Sequence, residues 1–448
     1  MSACPLVAVN PRQLPVWLST ASPAQQQWVR ATAFAALPGT HCLVPGVEGH
    51  IELVLVGVGS ADDVYALATL PMQLPPAEYQ LSDQGLVLDA FNAALGFGLA
   101  SYQFKRYRQP RRAPARLLTP SGIDAAQLEA LIAAATLTRD LVNTPSEHMG
   151  PAELAENTRR LAGTYGGIFR EWVGEDLLRD NFPAIHAVGR ASHREPRLLE
   201  LRWGDPAQPR VAVIGKGVCF DTGGLDIKAA DGMRNMKKDM GGAAHAIALA
   251  ELIMRLGLPI QLQLLIPAVE NAISGNAYRP GEVIATRKGL SVEIDNTDAE
   301  GRVVLCDALA YAAESTPDLM IDFATLTGAA RVALGADLPP VFSNDDALRQ
   351  AAVAAGSKVQ DPIWPMPLWQ PYLSMLDSSI ADLANSGPSR YAGCITAALY
   401  LQRFVPDDLP WLHLDTYAWN DTDRPGRPRG GEALGLRAIF ELLSQRYA

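Results

Sequence analysis

Continuous apolar runs alternating with helical stretches, from about residue 210 onward, restrict this chain's fold more than any other feature. RVAVIG at 210–215 reads as a strand, AAHAIALAELIMRL at 243–256 as a helix, and IQLQLLIPAV at 260–269 as a second strand. SVEI at 291–294, a helix from Val303 to about Glu314, and DLMIDFATL at 318–326 continue the series. Strands that are apolar on both faces need cover on both faces. The pattern therefore predicts an α/β fold with a mostly parallel central sheet covered by helices. In such sheets ligands collect beyond the carboxyl ends of the strands, which directs attention to the turns after these runs.

The first hundred or so residues repeat the α/β pattern, with strand-like IELVLVGVG at 51–59, but concentrate no reactive side chains. KRYRQPRRAPAR at 105–116 carries six basic residues and two prolines and reads as an exposed connector. A helix is expected from Asp124 to about Asn143, with Asp124 as its N-cap and Leu128, Leu131, Ile132, Ala135, Thr138 and Val142 along one face. A chain of 448 residues is too long for one core. The expected division is a smaller N-terminal α/β domain over 1–123, a linking helix over 124–145 and a larger C-terminal α/β domain over 146–448.

The formal net charge of -10, from 38 basic and 48 acidic residues, gives no general reason to expect nucleic acid as a partner. Five scattered cysteines without a C-x-x-C pair argue against a disulfide framework and for a reducing cytoplasm. The N-terminus, MSACPLVAVNPRQLPVW, lacks the basic start and apolar core of a secretion signal. The apolar stretch from Ala243 to Val269 is interrupted by His245, Glu251, Arg255 and Pro259, so no membrane span is expected.

Two clusters follow strand-like runs. The first, Gly215–Ala244, places Lys216 and Asp221 in a glycine-rich turn, with Lys228 further on and Asp239 just before a helix. Taken singly, Asp239 reads as a helix cap and the lysines as surface cations. The second, DNTDAEGRVVLCDAL at 295–309, brings Asp295, Asp298 and Glu300 into six residues. On an extended backbone Asp298, Glu300 and Arg302 would project from one side. Alone, this is equally an acidic surface loop with Arg302 as counter-ion. Together, Asp221, Asp239, Asp298 and Glu300 supply the bridging and terminal carboxylates that a two-metal hydrolase needs. A divalent cation resolves the repulsion among them. The seven histidines show no HExxH spacing, which disfavours a histidine-based zinc site.

These residues closely resemble the leucyl aminopeptidase family of dinuclear metallopeptidases, whose heptapeptide signature NTDAEGR stands intact at 296–302. GKG, FD-x-GG and KxDMGGAA in the first cluster, NTP at 143–145, IDFATLTGA at 321–329, ITAALYLQRFV at 395–405 and WLHLD at 411–415 extend the match. The resemblance implies that Lys216, Asp221, Asp239 and Glu300 bind the tighter of two divalent ions, Mn²⁺ or Zn²⁺. Asp221, Asp298 and Glu300, with the Asp298 carbonyl, would bind the more exchangeable ion. It further implies that Lys228 polarises the scissile carbonyl and that Arg302 holds a bicarbonate serving as proton shuttle. Met236, Thr325, Leu326 and Gly328, with Asp239 receiving the amine, would bind the first residue of short peptides. A Met-lined pocket favours apolar side chains such as leucine. A homohexamer is implied as well.

The sequence departs from the family pattern at several points without losing a proposed ligand. Asp226 stands two residues before Lys228 and is expected to act on it, and TYAWN at 416–420 replaces smaller residues. Two other readings are weaker. A DNA-binding or scaffolding hexamer of the same family would rest on the basic run at 105–116. A dinucleotide-dependent oxidoreductase would rest on Gly215 and Gly217, but Phe220 occupies the third fingerprint position.

Overall fold

The computed structural model describes residues 3–448. Its contacts separate two compact units, Met1–Thr136 with Thr422–Arg429, and Leu137–Asp421 with Gly430–Ala448. The helix expected from Asp124 spans Ala125–Asn143, and the Asp124 carboxylate accepts the Gln127 N–H at 2.9 Å, as an N-cap does. The unit boundary falls inside this helix. Inclusion of 422–429 in the first unit has no counterpart in the sequence reading. Within that unit Arg427 Nε donates to the Tyr65 hydroxyl at 2.9 Å.

The first unit is built on five strands, β1 (Cys4–Val9), β2 (His41–Pro45), β3 (Ile51–Gly57), β4 (Glu78–Ser82) and β5 (Arg116–Leu117). They lie in the order β2-β3-β1-β4-β5, parallel except for β2. The basic run contributes to this unit's own structure. Arg112 donates to the Met72 and Leu74 carbonyls, and Arg116 lies 3.4 Å from Glu78.

In the second unit the strands are β6 (Ile168–Val173), β7 (Arg197–Trp203), β8 (Arg210–Gly215), β9 (Gly217–Asp221) and β10 (Gln261–Asn271). They continue as β11 (Val283–Ala285), β12 (Ser291–Glu293), β13 (Leu319–Ala324), β14 (Pro340–Ser343), β15 (Trp364–Pro365), β16 (Leu383–Ala384) and β17 (Trp411–Asp415). The main sheet runs β15-β14-β17-β13-β8-β10-β7-β6, with β9 pairing β10. Its centre, β17-β13-β8-β10, is parallel, and antiparallel pairs flank it. The apolar runs are buried as expected, with Val211, Val213, Leu264, Ile321 and Phe323 fully covered. SVEI departs from the expected series, because its strand joins β11 and β16 in a separate three-stranded sheet.

Helix Gly241–Leu256 packs its first turn directly on the sheet. A Cβ on Gly242 would stand 2.1 Å from the Phe323 carbonyl oxygen, so only glycine permits that approach. The same unit holds a buried ion pair. Arg139 Nη2 lies 3.0 Å from Glu432 Oε1, and Asn420 donates to Glu432 Oε2 at 2.6 Å. Breaking such a pair strands a buried charge. Arg139→Met should therefore cost about 3–5 kcal/mol, read as a fall in the denaturant midpoint; a change below about 1 kcal/mol would show the pair to be dispensable.

Candidate metal centre

Lys216 and Asp221 sit at the carboxyl edge of the parallel strands, whereas Asp298 and Glu300 follow β12 of the separate three-stranded sheet. Lys216 follows β8, Asp221 ends β9, and Asp239 lies in the 3-10 turn Met236–Met240. Asp298 lies in the loop before helix Glu300–Glu314, and Glu300 is the first residue of that helix. This corrects the extended reading of 298–302. Glu300 and Arg302 occupy the first helical turn rather than one side of a strand. Glu300 thus lies at the positive end of a helix dipole, which favours its charge.

Asp221, Asp298 and Glu300 each present a carboxylate oxygen within 4.8 Å of the others. Two ammonium groups thread between the carboxylates. Lys216 Nζ lies 2.7 Å from Asp239 Oδ2 and 2.9 Å from Glu300 Oε1, and donates to the Thr325 carbonyl at 2.9 Å. Lys228 Nζ lies 2.7 Å from Asp221 Oδ2 and also contacts Asp298 Oδ1. Gly301 is what lets Lys216 pass, since a Cβ there would stand 2.5 Å from its Cε.

Burial works against both ammonium charges. At Lys216 the Asp239, Glu300 and Asp221 carboxylates outweigh it and hold the pKa above the ordinary lysine value. At Lys228 Asp221 and Glu300 do the same. On the acidic side, burial and then the Asp221 charge hold Glu300 well above the usual carboxylate range and push Asp298 up to about 6. Four carboxylates thus face two ammonium groups. Asp239 Oδ2, Asp298 Oδ1 and both Glu300 oxygens are buried and accept no hydrogen bond of good geometry, even where a lysine lies within ion-pair distance. Hard oxygen donors, unsatisfied and in negative excess, are what a divalent cation requires. The residues present fit that group.

Supporting hydrogen bonds come from residues the sequence reading did not single out as parts of the site. Asn271, at the end of β10, donates its Nδ2 to Asp221 Oδ1 at 2.8 Å and to the Thr297 carbonyl at 3.0 Å. Its strand was expected to stop at Val269; extending it to the carboxyl edge would have found Asn271. Tyr278 donates its hydroxyl to the same Thr297 carbonyl at 2.8 Å. Lys228 makes its ion pairs with Asp221 and Asp298 and none with Asp226. The Asp226 carboxylate instead accepts the Thr297 N–H at 2.8 Å and ties the two clusters together. Asp415, ending β17, accepts the Leu326 N–H at 2.9 Å and the Thr327 hydroxyl at 2.6 Å.

The carboxylates open into a cleft of about 480 Å³, lined also by Lys228, Met236, Thr325, Leu326 and Gly328. Thr325 does more than line it, because its hydroxyl donates to Asp239 Oδ1 at 2.8 Å. Lys238, Arg331 and Tyr417 form part of the same wall. Burial lowers the Lys238 pKa to about 8, partly offset by the Asp239 charge. Arg302 is buried beside the cluster, outside the cleft lining. Its Nη1 donates to the Asn385 carbonyl at 2.8 Å, while Nε has no partner.

The sequence profile of the "Cytosol aminopeptidase family, catalytic domain" matches residues 136–440, and that of the "M17 aminopeptidase, N-terminal domain" matches residues 4–120. The chain belongs to the cytosol aminopeptidase family. A probable cytosol aminopeptidase of Syntrophotalea carbinolica is 43% identical over 438 residues, covering 92% of this chain and 87% of the relative. The crystal structure of a cytosol aminopeptidase from Coxiella burnetii is 50% identical, with a TM-score of 0.97 over 100% of this chain and 98% of that one. The bottromycin maturation enzyme BotP in complex with Mn is 34% identical, with a TM-score of 0.90 over 100% of both chains. The protein is therefore an aminopeptidase of a metal-dependent hydrolase family, with the family's two-domain α/β architecture. Among the described residues no helix is long and apolar enough to cross a membrane.

The Asn271 contacts generate a test. Residues that orient metal ligands typically contribute 10–100-fold in metal affinity. Asn271→Leu should weaken metal binding by roughly that factor while far-ultraviolet dichroism stays native; unchanged affinity in a calorimetric metal titration would deny Asn271 the role.

Proposed function

We propose that the enzyme removes the N-terminal residue of short peptides in the cytoplasm and accepts apolar first residues such as leucine. The observation that carries this reading is the meeting of Asp221, Asp298 and Glu300 within 4.8 Å in a cleft that also holds Lys228. Lys216, as the neutral amine it would become once an incoming cation displaced its proton, would hold one divalent ion with Asp221, Asp239 and Glu300, and Asp221, Asp298 and Glu300 would hold the other, as Mn²⁺ or Zn²⁺. When bound, two such ions supply Lewis acidity and an acidified water, and a bicarbonate supplies a proton acceptor.

The chain's own groups do the rest. Lys228 presents a fixed positive charge at the cleft, placed to donate to the oxygen that becomes anionic on the scissile carbonyl. Asp239, oriented by Thr325, accepts a hydrogen bond from the substrate's free amine. Arg302 has a planar guanidinium with an unpartnered Nε, a match for a planar oxyanion such as bicarbonate. Met236, Leu326 and Gly328 surround the first side chain and leave it an apolar face. Homohexameric assembly belongs to the same reading, and light scattering would decide it.

A free amine is the recognised group, so acetylated leucyl substrates should not be cleaved; equal turnover of acetylated and free substrates would sink the assignment. Lys228→Ala should lower kcat by about 10²-fold or more while metal content stays near two per chain. A metal-free variant would move Lys228 among the ligands. Glu300→Ala should lose metal together with activity, and retention of both ions would show that Glu300 does not bridge.

A further inference from the structure

The cleft wall carries two cations that the catalytic reading leaves unused. Lys238 is 7% exposed, and its Nζ lies 4.7 Å from the centre of the Tyr417 ring. Among the described residues no carboxylate comes within ion-pair distance of that Nζ, and no hydrogen bond reaches it. Arg331, on helix Gly328–Leu334, approaches the same ring at 4.8 Å and donates Nη1 to the Tyr417 hydroxyl at 2.7 Å. Arg331, which is exposed at the mouth of the cleft, likewise forms no ion pair among the described residues. Buried Asp239 and Asp415 act on Lys238 without coming within ion-pair distance, and the acids on the cleft side, Asp421 and Asp231, are exposed. Asp421 receives a long contact of 3.4 Å from the Tyr417 hydroxyl, and Asp231 bonds the Gly232 N–H.

Stacking on an aromatic face offsets only part of the cost of burying an ammonium group. A side chain with a carboxylate entering the cleft would supply the missing partner. Lys238 sits between Met236 and Asp239 on one short turn, and Arg331 lies three residues past Gly328. Both cations therefore neighbour the residues that surround the substrate's first side chain. The geometry points to N-terminal glutamate and aspartate as a further substrate class, their carboxylates held by Lys238 and Arg331 in the wall of the same cleft. This rests on the aminopeptidase reading above.

The test compares glutamyl, glutaminyl and leucyl amides on the metal-loaded enzyme. Amides carry no terminal carboxylate, so only the side chain can supply one. Glutamyl amide should be turned over at least as well as its neutral isostere. Lys238→Met and Arg331→Gln should each lower the Glu-to-Gln ratio of kcat/KM about tenfold or more. Lys238 adjoins Asp239, so the Arg331 variant guards against an effect on the metal centre itself. A native ratio below about one-tenth, or a ratio that moves in neither variant, overturns the proposal. Calorimetric binding of L-glutamate and L-glutamine separates it from the catalytic reading. If no amide is cleaved yet glutamate binds more tightly and loses that advantage in Arg331→Gln, the peptidase reading fails and the acidic pocket stands. Equal binding of the two amino acids removes the pocket.

Discussion

Mutual repulsion among Asp221, Asp239, Asp298 and Glu300 is the constraint to which the rest of the catalytic unit is fitted. Each of these acids would prefer water or a proton to the company of the others in a buried cleft. Two lysine ammonium groups thread between them, hydroxyl and amide donors from Thr325 and Asn271 fix individual oxygens, and a helix start stands under Glu300. Even so, several buried carboxylate oxygens accept no hydrogen bond of good geometry. The arrangement is more negative than the protein alone compensates, which is the electrostatic signature of a place made for added cations.

The parallel sheet supplies the means of assembling such a cluster. Strands β8, β9, β10, β13 and β17 deliver Lys216, Asp221, Asn271, Thr325 and Asp415 at or just beyond their ends. Because the strands are rigid and covered on both faces, the side chains at their ends inherit fixed positions. Glycine serves the same purpose where backbone or side chain must pass close, at Gly242 against β13 and at Gly301 against Lys216.

Much of this was legible in the sequence. The apolar strands, the helix from Asp124 and the concentration of acids at the strand ends follow from local pattern. What escaped had physical reasons. Helix Glu300–Glu314 begins after Ala299 and helix Gly241–Leu256 after Met240, and neither has a side-chain cap to announce its start. Both were therefore read as beginning late, and Asp298 to Arg302 as extended. The partners of Asp226 and Asp415 lie 71 and 89 residues away in sequence, beyond the reach of any local signal. The inclusion of Thr422–Arg429 in the first unit is of the same long-range kind.

The hold of Asp415 on Leu326 and Thr327 has a consequence for how the molecule is made. All of the proposed metal-binding residues precede residue 301, but the segment that stiffens the pocket wall is translated more than a hundred residues later. The wall at Leu326 and Thr327 is fixed only when β17 pairs beside β13, so the shape of the pocket depends on one of the last strands of the chain.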